Sequence, residues 1–235
     1  TAVKSSRRRW MASAIEHPCV LDAVRRLEDE GWSVDWVPVG RDGVTQLGEL
    51  PADLAGLSVM AANHETGILQ PIAAAREAAH AAGAVLHVDA TQAVGRTRLD
   101  LSNVDGIVLS GHKLGGPPGI GALILPNGDP FPALVGGGAQ ERGRRAGTTP
   151  TALGVGLGAA CLAAARDLDQ RQEHWRSLMQ DLRPRLAALG AREVGSGPRI
   201  HNTICVIFPG IPGESLVQSL DLQGVCVSSG AACAS

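Results

Sequence analysis

Apolar and polar positions along the 235-residue chain change period repeatedly. Met11 to Ile15 is a short apolar run that reads as a strand. Pro18 then opens a helix with Val20, Val24 and Leu27 on one face and Gly31 as its stop. Ser33 to Val39 alternates like a strand, and Leu57 to Ala62 has the continuous apolar character of a buried one. Pro71 to Ala82 is an Ala-rich helix closed by Gly83. Val85 to Val88, Gly106 to Leu109 and Gly121 to Leu125 are further strands. This β-α-β alternation predicts an α/β fold, with a mostly parallel sheet covered by helices.

In such sheets ligands bind beyond the carboxyl ends of the strands. Three polar clusters fall there: residues 63–67, 89–92 and 110–113. Further on, Gly136 to Thr149 is a Gly/Arg-rich loop. A long helical stretch from about Thr151 to Leu189 follows, with Leu168, Trp175, Leu178, Leu182, Leu186 and Leu189 at helical spacing. Gly190 to Pro198 interrupts it. Thr203 to Phe208 reads as a strand, Glu214 to Leu222 as a helix and Val225 to Val227 as a strand, before a small polar tail from Ser228 to Ser235. A composition shift near residue 165 divides the chain into a larger domain, 1–165, and a smaller one, 166–235.

Composition narrows the function. With 44% hydrophobic and 19% charged residues, the chain has a foldable, globular composition. A net charge of −2 gives no electrostatic footprint for nucleic acid or an anionic membrane, and 3% aromatics with no Tyr argue against a base-stacking surface. The five cysteines form no disulfide framework and no CxxC pair. There is no long uncharged apolar run, and Thr1 to Arg9 lacks an apolar signal core, so a cytoplasmic protein is expected. Of the 21 basic residues only Lys4 and Lys113 are lysines. A lysine kept mid-chain in an Arg-biased sequence suits chemistry that Arg lacks, because Lys can lose its proton and form a Schiff base.

Lys113 follows an apolar strand within Ser110-Gly111-His112-Lys113, a place where it could condense with an aldehyde. Asp89 ends another strand and is followed by Ala90-Thr91-Gln92. It either caps the next turn or pairs with a pyridinium nitrogen. An Asp on one strand end and a Lys on a later one is the pair that pyridoxal phosphate (PLP) requires, with Gln92 able to bond the ring's phenolic oxygen. Ser110, His112 and the Arg145-Ala146-Gly147-Thr148 segment suit a phosphate. His17, in Glu16-His17-Pro18, follows a strand end. A lone His is more often structural, but in a PLP site it can stack on the ring or shuttle protons. Cys19, Cys161, Cys205 and Cys226 read as small buried hydrophobes. Cys233 differs, since neighbours that are all small cannot bury a thiol well, and it stays available as a nucleophile.

With those residues assembled, the sequence resembles the cysteine desulfurases, PLP enzymes of the class V aminotransferase group with fold type I. The resemblance rests on Glu16-His17, on His87-Val88-Asp89-Ala90-Thr91-Gln92, on Ser110-Gly111-His112-Lys113, on Gln140 to Thr148 and on the Ser228-to-Cys233 loop. It implies that Lys113 holds PLP and moves protons, Asp89 binds the pyridine nitrogen and Gln92 the phenolic oxygen. His17 stacks on the ring, Ser110 and His112 bind phosphate, and Thr148 reaches the phosphate of the other subunit in a homodimer. Cys233 takes sulfur from L-cysteine as a persulfide, leaving L-alanine, for a sulfur-acceptor protein such as an iron–sulfur scaffold. Two departures stand out. His64 occupies a cofactor-contacting position where the family usually has Asn. The chain also resembles a family of longer proteins, without counterparts of an N-terminal Gly-Ala-Thr-Glu segment or of the arginine that binds the substrate carboxylate. A related PLP lyase or aminotransferase, such as a selenocysteine lyase, and an inactive scaffold-binding chain are the alternatives.

Overall fold

The computed structural model describes residues 6–126, 132–133 and 135–230. Its centre is a six-stranded sheet built from β1 (Arg9–Ser13), β2 (Ser33–Val37), β3 (Leu54–Ser58), β4 (Val85–Asp89), β5 (Gly106–Ser110) and β6 (Gly121–Ile124), in the order β2-β1-β3-β4-β5-β6. All pairs are parallel except β5 with β6, which is antiparallel. The expected mostly parallel α/β sheet is therefore present.

Helix α1 (Pro18–Asp29) covers one face of the sheet and α2 (Ile72–Ala81) the other. Pro18 sits in the first helical turn, where its missing N–H costs nothing. On one face Val20 and Val24 of α1 pack with Ala12, against Trp10 and Val34. On the other, Ile72, Ala75 and Ala79 of α2 pack on Leu57, Leu86 and Val88. Side chains alternate along a strand, so Leu86 and Val88 facing α2 puts His87 and Asp89 on the α1 side. A polar chain crosses that side: the Trp10 indole donates to Ser58 Oγ at 3.0 Å, and Ser58 Oγ lies 3.2 Å from His87 Nδ1.

Five expectations are corrected. The apolar run Leu57 to Ala62 is shifted relative to the ladder. β3 spans Leu54–Ser58, and the later residues continue as buried chain. The long helical stretch expected over 151–189 is two helices, α4 (Thr151–Arg166) and α5 (Leu168–Ala188), bent by 67° about Asp167. The strand expected over 203–208 contracts to β8 (Val206–Ile207), paired with β7 (Arg192–Glu193), while Val225 to Val227 is not a strand. The Val225 amide instead turns back to the Leu220 carbonyl at 2.9 Å. Finally, Cys19 and Cys226 are exposed instead of buried, and Cys161 and Cys205 are half-buried. Two short turns follow the pattern less closely, the 3-10 turn Gly111–Leu114 and α3 (Gln140–Gly143), in which Glu141 and Arg142 take positive φ, and α6 (Gly213–Asp221) lies near the end of the described chain.

Candidate active site

The parallel strands all end on one edge of the sheet, and the candidate residues gather there. His17 follows β1 and caps α1: its Nδ1 accepts the backbone N–H of Cys19 at 3.2 Å. A backbone N–H only donates, so Nδ1 is the acceptor and the neutral ring carries its proton on Nε2. The Cys19 Sγ lies 2.9 Å from the same nitrogen, and with Nδ1 as acceptor the thiol is the donor there too. Burial and the negative Asp89 push the Cys19 thiol up, which keeps that proton on sulfur.

His64 lies in the loop after β3. Asn63 organises this loop: its Oδ1 accepts from the amides of Glu65 and Thr66 at 3.1 and 2.9 Å, while its Nδ2 donates to the Ile15 carbonyl at 3.2 Å. That arrangement brings the His64 ring edge-on to His17, with centroids 5.0 Å apart. Burial, with His17 and Lys113 nearby, lowers the His64 pKa below the usual imidazole value; Glu65 and Asp89 oppose the shift. The His64 Nδ1 is buried and has no hydrogen-bond partner among the described residues.

Asp89, buried at the end of β4, accepts the amide of Thr91 on Oδ1 at 2.9 Å. That bond is the turn cap that sequence pattern alone also allowed, and it leaves the other carboxylate oxygen for a ligand. Gln92 is half-buried in the turn that follows. After β5, Ser110 Oγ and His112 Nδ1 are 2.8 Å apart, and Lys113 is half-buried in the 3-10 turn. Gly111 has to be glycine there, since a Cβ would stand 2.9 Å from the Ile120 carbonyl oxygen.

Sequence reasoning missed the group that locks the two strand ends together. Arg96 donates through Nη1 to the Thr91 carbonyl at 3.1 Å and through Nη2 to the Lys113 carbonyl at 2.7 Å. One guanidinium therefore sets the spacing between the Asp89 turn and the Lys113 turn. The only clue was an Arg seven residues beyond a strand-end Asp, in a chain full of arginines. Asn63 was placed in the polar cluster 63–67 but its role as loop cap was missed, although an Asn opening a His-Glu-Thr-Gly turn is a recognisable cap.

One predicted residue stands apart. Thr148 is exposed in the loop that precedes α4. This loop and β6 form a groove of about 750 Å³ lined by Leu123, Arg142, Arg144, Arg145 and Thr149 among others, on the β6 flank of the sheet. Cys233 lies outside the described residues.

Residues 4–235 match the family model described as Aminotransferase class-V. Among curated proteins the chain is 41% identical over 245 residues to cysteine desulfurase 2 of Trichormus variabilis, covering 100% of this chain and 61% of that one. It is 43% identical over 243 residues to the cysteine desulfurase of Cereibacter sphaeroides, covering 100% and 62%. The chain thus spans about three-fifths of the length of the curated relatives it matches. Among solved structures, a NifS-like protein superposes with a TM-score of 0.91 at 33% identity, over 96% of this chain and 64% of that one. SspA in complex with cysteine superposes with a TM-score of 0.75 at 27% identity, over 97% and 66%.

Proposed function

This chain belongs to the aminotransferase class-V family, and from that premise we propose that it acts as a PLP-dependent cysteine desulfurase, moving the sulfur of L-cysteine onto Cys233 and leaving L-alanine. The observation that carries this reading is the convergence of Lys113, Asp89, His17 and His64 at one sheet edge. Relatives that bear the name cysteine desulfurase, and a neighbour solved with cysteine, support the same substrate.

The residues suit PLP. A buried ring nitrogen without a partner, His64 Nδ1, is costly unless a ligand group meets it. Ser110 and His112 form a hydrogen-bonded polar pair beside Lys113, groups whose chemistry suits a phosphate. When bound, PLP supplies an electron sink for negative charge left on the substrate. Lys113 Nζ anchors the cofactor and carries protons to and from the substrate carbon. The Asp89 oxygen left free by Thr91 holds the proton on the ring nitrogen. Gln92 serves the phenolic oxygen. His17 presents Nε2–H to the site, its Nδ1 being occupied by Cys19.

The thiolate of Cys233 attacks the substrate sulfur. A new S–S bond forms, the C–S bond breaks with its electron pair going to the substrate carbon, and a proton completes L-alanine. The resulting persulfide passes to a sulfur-acceptor protein, with an iron–sulfur scaffold the favoured kind, in a cytoplasmic setting. The exposure of Thr148 suits a homodimer in which it serves the partner's phosphate.

The test is to supply the PLP-loaded chain with L-cysteine and measure alanine and Cys233 persulfide together. Both form in equal amounts on the first turnover, and Cys233→Ala forms neither while still binding PLP. Undiminished alanine formation by Cys233→Ala would overturn the reading.

A further inference from the structure

Glu16 takes no part in the chemistry above, yet it is only 2% exposed, the most deeply buried carboxyl side chain among the described residues. It lies between β1 and α1, beside His17. β1 stops at Ser13, while the chain after β3 runs on towards the site. The Met60 amide therefore has no strand beside it on the β1 side. Glu16 Oε1 accepts that amide, so a side chain does the work of a missing strand.

The neighbouring amides point the other way. Val59 N donates to the His87 carbonyl at 3.0 Å and Ala61 N to the Asp89 carbonyl at 2.8 Å. The segment Val59-Met60-Ala61 is thus held by Glu16 on one side and by the end of β4 on the other. The second oxygen, Glu16 Oε2, is buried with no hydrogen-bond partner among the described residues. An ionised carboxylate is far more costly in such a place than a carboxylic acid. In keeping with this, burial pushes the Glu16 pKa up to about 8; the Met60 hydrogen bond opposes the rise and the negative Asp89 adds to it. The titratable groups whose charge reaches Glu16 are Asp89 at the end of β4 and Cys19 in the first turn of α1.

We propose that Glu16 is a positioning residue for Asp89: as a neutral carboxylic acid it closes the open side of the strand end, fixes through Met60 and Ala61 the position at which Asp89 stands, and leaves Asp89 as the single negative charge of that buried corner. What Asp89 then does for a cofactor rests on the function proposed above; the coupling of Glu16 to Asp89 does not.

The experiment compares the wild-type chain, Glu16→Gln and Glu16→Ala, first without and then with PLP. Without PLP, the Met60 and Ala61 amide resonances of the wild type shift together with a midpoint near pH 8, and Glu16→Gln abolishes the step. With PLP at neutral pH, Glu16→Ala weakens binding by about tenfold, as loss of a supporting contact does elsewhere, and Glu16→Gln, neutral and able to accept the Met60 amide, restores it. A midpoint in the ordinary carboxylate range, or an Ala61 amide that ignores the titration, overturns the inference. So does a Glu16→Gln variant as impaired as Glu16→Ala. If Glu16→Ala does not fold, the titration and the Gln variant still decide. If the amides titrate as stated but the wild type binds no PLP, the cofactor reading fails and the Glu16–Asp89 coupling stands.

Discussion

The ring of His64 meets the ring of His17 edge-on, with centroids 5.0 Å apart and planes 69° apart. The contact joins the end of β1 to the loop after β3, and His17 is at the same time the cap of α1. Replacing His17 by Ala removes a cap and a ring contact, for a loss of about 2 kcal/mol of stability. His64→Ala removes only the ring contact, about 1 kcal/mol. Denaturant unfolding of both single variants and the double variant measures the coupling, expected at about 1 kcal/mol. Strict additivity would show that the two rings do not support one another.

Glu16 and the partly buried histidines give stability opposite slopes with pH. Glu16 keeps its proton in the folded chain up to about pH 8, whereas an ordinary glutamate loses it near 4.5. Between those values the unfolded chain binds fewer protons, so stability falls as pH rises, by at most about 1.4 kcal/mol per unit. Burial lowers His64, His87 and His201 below the usual 6.5, so their cost to stability arises chiefly at pH beneath that value. The window from pH 6.5 to 8 therefore isolates Glu16. The wild type loses stability across it, and Glu16→Gln has a flatter profile. Equal slopes in chemical unfolding would contradict this.

Arg96 holds the Thr91 and Lys113 carbonyls with two nitrogens of one guanidinium. Arg96→Ala leaves both acceptors without that donor, at a cost of about 1–3 kcal/mol, and lets the two turns drift apart. Arg96→Lys recovers only part of the loss, because an ammonium lacks the planar fork. Thermal unfolding and PLP affinity should fall together in the order wild type, Lys, Ala.

Gly56 in β3 lies against the Trp10 indole, and an added Cβ would stand 2.3 Å from the ring. That ring is held by its bond to Ser58 and cannot swing aside freely. Gly56→Ala is expected to cost about 1–3 kcal/mol by overpacking and to disturb the Trp10–Ser58–His87 chain. Trp fluorescence and urea unfolding would detect both effects. An unchanged midpoint would mean that the indole relocates without penalty.

Much of the site was legible because strand ends announce themselves. Val85 to Asp89 and Gly106 to Ser110 are apolar runs that turn polar at one residue, and their parallel pairing follows from the intervening connections. Pro18 and Gly31 bracketed α1 for reasons of backbone geometry. The break between α4 and α5 was not legible, since Arg166-Asp167-Leu168 contains neither Gly nor Pro and the turn there depends on surroundings rather than propensity. Leucine spacing in this region was also a poor guide to burial: Leu178 and Leu189 are 53% and 73% exposed. Arg96 and Glu16 were hidden for a different reason. Each acts on backbone groups brought close only by the sheet, and no spacing in the sequence records that.

The most direct test of the proposed site is chemical trapping at Lys113. The chain is incubated with PLP, reduced with borohydride, digested and mapped by mass spectrometry. The account predicts that the reduced cofactor is found on Lys113, that Lys113→Ala carries none, and that Lys4 stays unlabelled. Labelling of Lys4 with Lys113 untouched, or equal labelling of the Lys113→Ala chain, would contradict it.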